Sequence, residues 1–218
     1  MRLAEHDYEP VRGLPERLPE GERLLWQGAP QWRVLARRAL HLPLLATYFG
    51  VLIAARMATM AIRGEPPSAV LVDSLWFLLP SLAVLGMGAI FAWGVARTSV
   101  YTITTRRIVM RFGIGLSVTA NLPFARVEAA AARLASDGSG DVSLGLAKGE
   151  RISWLFFWPH VRGWRLTRPQ PTLRAIENAG DVARILSRAL AGAADIPVSA
   201  APRVASPDTT PGAQPAAA

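Results

Sequence analysis

The chain has 218 residues, a formal net charge of +8 and no cysteine, and Lys148 is the single lysine among its 24 basic residues. Lacking cysteine, it has no disulfide framework, thiol nucleophile, iron–sulfur cluster or Cys-based zinc site. Long apolar runs accompany the positive charge, which suits anionic lipid headgroups better than nucleic acid.

In chain order, the first 33 residues are polar with no apolar core, so no cleavable signal peptide is expected. This segment mixes acids, arginines and prolines, and Leu24, Leu25 and Trp26 are its candidate anchors, on a partner or on a neighbouring domain. Two apolar runs follow, 39–62 and 69–96, each longer than the roughly 20 residues a helix needs to cross a bilayer core. The loop Arg63-Gly-Glu-Pro-Pro-Ser68 cannot continue a helix, which predicts a transmembrane hairpin. Arg33, Arg37 and Arg38 precede it and Arg97, Arg106, Arg107 and Arg111 follow it, whereas Arg63 in the loop is offset by Glu65. The positive-inside rule therefore places both termini in the cytoplasm. Trp76 and Trp93 fall towards opposite ends of the second run, as an aromatic belt requires, and Pro80 is expected to kink it.

Arg56 lies inside the first run, where a charge is costly. Either it reaches the outer headgroups along its aliphatic stem, or it pairs with a carboxylate, from another protein or from Asp73. Ala46, Gly50, Ala54 and Ala58 form a small-residue ladder in the first run, and Gly88, Ala92 and Ala96 form another in the second. Four-residue spacing puts each ladder on one helix face, where a second helix can approach closely. One ladder would serve the hairpin and the other a second copy or a partner, with Gly50 and Gly88, the glycines of the two ladders, as candidate contact residues.

From Ser99 the pattern becomes period two. Residues 100–104, 108–112, 116–122, 127–135 and 142–146 read as strands, with a further strand over 151–157. Asp137-Gly-Ser-Gly-Asp141 and Lys148-Gly149 supply turns. After Pro171, the residues Leu173, Ile176, Val182, Ile185, Leu186 and Leu190 can share a helical face starting at Asn178 or Asp181, or as early as Thr172. Residues 195–218 read as a disordered tail. The predicted architecture is a two-helix transmembrane hairpin followed by a pleckstrin-homology-like antiparallel β-barrel or sandwich capped by a C-terminal helix. The segments are 1–38 (cytoplasmic N-terminal segment), 39–97 (hairpin), 98–194 (β domain) and 195–218 (tail).

Catalysis is not expected, because His6, His41 and His160 lie in separate regions and no pair has metal-ligand spacing. Asp137 and Asp141 lack the further oxygen ligands of a calcium loop and read as a hairpin turn. No Gly-x-x-x-x-Gly-Lys phosphate loop is present, and no cofactor or metal is expected. The most unusual soluble segment is Trp154-Leu-Phe-Phe-Trp-Pro-His-Val-Arg-Gly-Trp164. Part of it must be core, and the other reading is a docking loop of Trp158, His160, Arg162 and Trp164, since Trp and Arg are enriched at binding hot spots.

Residues 9–28, with their Gly-Leu-Pro…Leu-Pro-Glu-Gly-Glu…Leu-Trp-Gln-Gly string, residues 101–113, Asn121-Leu-Pro-Phe124, and the pairing of Asp137-Gly-Ser-Gly-Asp141 with Trp158-Pro-His160 together resemble the PuhB family of photosynthetic reaction-centre assembly proteins. The resemblance runs over about residues 5–190, and Gly163 departs from it, standing where proline usually follows the arginine. It implies a non-enzymatic factor of the bacterial inner (intracytoplasmic) membrane that assembles the reaction centre with its core antenna. Its partners would be reaction-centre and core-antenna polypeptides, a second copy of itself and membrane lipid, with no nucleic acid. His160 could then ligate bacteriochlorophyll magnesium, although a lone loop histidine is more often a hydrogen-bonding group. The alternative is a membrane-tethered pleckstrin-homology-like module that binds anionic lipid or senses membrane state.

Overall fold

The computed structural model describes residues 13–14, 16–147, 152–162 and 169–194. Two antiparallel helices, α2 (Leu42–Ile62) and α3 (Pro67–Thr98), are long and apolar enough to cross a membrane. Only 0% of the apolar window of α2 and 11% of that of α3 is covered by the rest of the chain, whereas the core helix of a soluble protein would be mostly buried. Gly64 at φ 74 makes the turn between them, and Pro67 opens α3, where its missing N–H has no helical partner to lose.

The first apolar run does not form one helix from residue 39. A separate helix α1 (Trp32–Arg38) precedes α2, and His41 at φ 53 turns the chain between the two. Pro43 sits in the first turn of α2, where a preset φ favours helix initiation. Val34 and Leu35 of α1 are buried in a small cluster with Ala92 and Val95 of α3 and Ala175. Apolar residues flank the break on both sides, and its signals in the sequence are His41 and Pro43, the latter placed as at a helix start.

Two antiparallel sheets follow. In the first, β1 (Leu24–Gly28), β2 (Val100–Thr104), β3 (Arg107–Phe112) and β4 (Val118–Pro123) pair in that order. Every residue of β2 is buried, which accounts for its unbroken β-branched and aromatic character. Its partner β1 belongs to the segment before the hairpin, so the sheet crosses the limit at residue 98 suggested by periodicity. The second sheet holds β5 (Val127–Leu134), β6 (Gly140–Leu146) and β7 (Thr172–Ile176). A short 3₁₀ turn, Phe124–Arg126, joins the two sheets. Among the described residues no ladder links them, so of the barrel and sandwich alternatives no closed barrel forms and the two sheets remain an open pair. Pro123 ends β4 without an N–H to extend the ladder, and the chain leaves for the other sheet there.

Between the sheets lies one core, including Tyr101, Ile103, Met110, Leu144, Leu173 and Ile176, closed by Val182 and Leu186 of the helix α5 (Ala179–Ala194). Two elements differ from the sequence reading. The strand expected over 151–157 contains a single helical turn, α4 (Trp154–Phe157), whose N–H of Phe156 donates to the Ser153 hydroxyl at 3.4 Å. Four consecutive apolar residues carry no period, so a local cap could decide between strand and helix. The early helix start at Thr172 is replaced by β7, because Thr172 and Leu173 pair with the free edge of β6. The Lys148-Gly149 turn and the 195–218 tail lie outside the described residues.

Candidate functional site

The segment expected to dock a partner meets α3 and the β3–β4 loop at one end of the first sheet. Trp158 is 43% exposed and its ring stacks on Phe91 of α3, with centroids 5.4 Å apart and 26° between planes. Leu155 and Phe156 point outward at 77% and 56% exposure, while Phe157 is buried against Phe112. Across from them the β3–β4 loop presents Ile114 and Leu116, and Ile114 lies against Gly94 of α3. Gly113 makes this loop possible: its φ is 125, and a Cβ there would fall 2.0 Å from the Leu116 carbonyl oxygen. A groove of about 540 Å³ runs between these walls, lined almost wholly by apolar side chains.

His160 closes the groove from beneath and is only 1% exposed, so it is not a surface docking residue, which corrects its place in the expected loop. Tyr101 Oη lies 2.6 Å from its Nδ1, and Ser99 Oγ lies 3.2 Å from its Nε2. The Arg174 backbone N–H points to the Tyr101 oxygen at 3.4 Å. In the tautomer that satisfies all three groups, Tyr101 accepts from Arg174 and donates its hydrogen to Nδ1, and Nε2–H donates to Ser99. Burial, reinforced by the Arg174 charge, pushes the imidazole down from 6.5 to about 3, and burial pushes the Tyr101 phenol up. The imidazole is neutral with both nitrogens occupied, so it has no free lone pair for a metal or pigment. Its role is to fasten the Trp158–His160 segment to β2.

Arg162 is half-buried, and its side chain donates to Gln170 Oε1 at 3.3 Å while its backbone N–H donates to the Gln170 carbonyl at 2.9 Å. Trp164 lies outside the described residues. Arg56 pairs with Asp73, Nε to Oδ2 at 2.9 Å and NH2 to Oδ1 at 3.0 Å, which selects the intrachain partner among the options open in the sequence. The two glycines separate. A Cβ on Gly88 would lie 2.7 Å from Leu42 Cδ2, so the α3 ladder serves the hairpin, whereas nothing lies within 4 Å of one on Gly50.

Two contacts tie the N-terminal part to this frame. Glu22 is buried and receives a bidentate pair from Arg107, at 2.8 and 3.0 Å. Burial raises the Glu22 carboxyl, but the Arg107 and Thr104 hydrogen bonds and the nearby arginine charges outweigh it, and the group titrates below its ordinary range. Arg38 of α1 donates to both oxygens of Asp137 at 3.3 Å. The Ser139 hydroxyl and N–H, against a small burial cost and with help from Arg38, hold Asp137 low as well.

Sequence reasoning singled out Trp158 but missed the opposite wall. Ile114 and Leu116 flank Gly115, and two apolar residues inside a glycine-bounded turn were the available signal. The profile of the bacterial PH domain family matches residues 42–190. A Rhodobacter capsulatus protein described as an uncharacterized 23.7 kDa protein in the puhA 5′ region is 36% identical over 205 residues, covering 92% of this chain and 96% of the relative. No solved structure matches.

Proposed function

Because this chain belongs to the bacterial PH domain family, we propose that it is a membrane-anchored, non-catalytic factor that assembles the photosynthetic reaction centre with its core antenna. The carrying observation is the likeness to the protein of the puhA 5′ region, which extends over nearly the full length of both chains and agrees with the PuhB-like motifs. In this reading α2 and α3 span the inner membrane, both termini are cytoplasmic, and the two sheets stand on the cytoplasmic face. The neutral, doubly bonded His160 supports a binding role over acid–base chemistry. The α2 face with Ala46, Gly50, Ala54 and Ala58 is open and is assigned to a second copy or to a helix of a nascent pigment protein.

The test is affinity purification of the tagged protein from gently solubilised membranes of phototrophically grown cells, with near-infrared absorbance and protein partners recorded. Co-elution of reaction-centre or antenna polypeptides, reduced by Gly50→Leu on the open α2 face, is the expected outcome. An eluate holding only this chain and lipid, across several mild detergents, would remove the assembly role and leave the lipid-binding reading.

A further inference from the structure

The apolar groove has a depth as well as a shape. Helix α2 has 21 residues, and at 1.5 Å per residue it is roughly 31 Å long, the thickness of one hydrocarbon core. Its first residue, Leu42, packs against Gly88 of α3. The part of α3 beyond Gly88 therefore projects past the hydrocarbon edge into the headgroup zone. Phe91 and Val95 lie roughly 4.5 and 10.5 Å beyond that edge by the same rise, and since each headgroup zone is roughly 5–7 Å deep, Phe91 sits within it and Val95 just past its outer limit. These two residues form one wall of the groove. The other walls carry Ile114, Leu116, Leu155 and Trp158, whose exposures of 53%, 86%, 77% and 43% would be costly in water.

We propose that this groove is a lipid site: Leu116 and Leu155 dip into the cytoplasmic leaflet, and one phospholipid acyl chain lies between them against Phe91 and Val95. A volume of about 540 Å³ is within the range of ordinary ligand sites, and its lining offers hydrocarbon contact with little for a headgroup to bond. The inference rests on the reading of α2 and α3 as membrane spans, and it adds a second, reversible point of attachment that fixes the tilt of the β domain on the bilayer.

The absence of native cysteine allows single-cysteine reporters in the full chain. Leu116→Cys, Leu155→Cys, Leu78→Cys in α3 and Glu20→Cys, beside the β2–β3 turn at the opposite end of those strands from the groove, would each carry an environment-sensitive fluorophore. They would be reconstituted in phosphatidylcholine–phosphatidylglycerol vesicles with or without 5-doxyl phosphatidylcholine. The expected result is strong quenching at 116, 155 and 78 and little at 20. Native mass spectrometry of the unlabelled protein should also retain one phospholipid per chain, lost in the L116E/L155E double variant. Quenching at 78 without quenching at 116 and 155 overturns the lipid site while leaving the hairpin intact, whereas no quenching at 78 removes the membrane reading itself. Labels at 116 and 155 that escape lipid quenching in vesicles yet are shielded from aqueous iodide in native membranes would assign the groove to a protein partner and overturn the proposal.

Discussion

Among the described residues, His160 and Glu22 each tie stability to pH, in different windows. His160 titrates near 3 in the fold and near 6.5 when exposed. Between those values the unfolded chain binds more protons than the folded one, so stability falls as pH drops below about 6.5. Glu22 has the lowered carboxyl pKa of an ion-paired acid, so its contribution is fully present above about 4.5 and is lost as pH falls through its folded value. In full-length protein in mild detergent, His160→Gln should flatten the decline of apparent Tm between pH 6.5 and 4.5, while Glu22→Gln should alter only the part below. At pH 7 Glu22→Gln should cost about 1–3 kcal/mol, since it leaves Arg107 bonded to a weaker acceptor. A similar loss is expected for Tyr101→Phe, which strands His160 Nδ1 and the Arg174 N–H, and denaturant titration would measure both. The sequence carried only the general reading that a lone loop histidine is more often a hydrogen-bonding group, and the partners of these groups were not legible. His160 and Tyr101 are 59 residues apart, and a lone histidine beside tryptophan reads equally well as a surface contact.

Elements divide by what they face. The two ladders looked alike as sequence, yet Gly88 is filled by Leu42 and Gly50 faces nothing. Gly88→Leu should therefore separate α2 from α3 and lower the yield of folded protein. Gly50→Leu should leave the monomer folded and reduce partner or self-association, read by crosslinking in native membranes. The Arg56–Asp73 pair gives a second contrast at the turn end of the hairpin. If α2 and α3 span a membrane as proposed, Asp73→Ala leaves the Arg56 guanidinium in lipid without its partner and should lower folded yield and insertion efficiency. Replacing both residues by leucine should recover most of the loss, and glycosylation-site mapping of insertion efficiency would report the difference. The helical turn at Trp154 and the strand at Thr172 show the limits of local pattern. Both segments are short, and what decides them is a Ser153 cap and an open β6 edge.

At the scale of the molecule, the hairpin is an insertion between two adjacent strands of one sheet, because β1 precedes it and β2 follows it. A fragment comprising 97–194 would lack β1, α1 and the Glu22–Arg107 tie, exposing the Thr102 and Thr104 side of β2. It should melt at markedly lower temperature than the full chain, or aggregate through the bared edge, as size-exclusion chromatography with thermal unfolding would show. Sequence alone determined the helical hairpin, most strands, the amphipathic C-terminal helix and the family, because hydrophobic period, turn chemistry and motif order are local properties written along the chain. Only tertiary structure decided that the N-terminal segment completes the sheet, that the sheets stay open, that His160 is core, and that three distant apolar segments enclose a groove. Each of these depends on which surfaces meet after the chain has doubled back through α2 and α3. Residues separated by tens of positions carry no joint signature until burial brings them into contact.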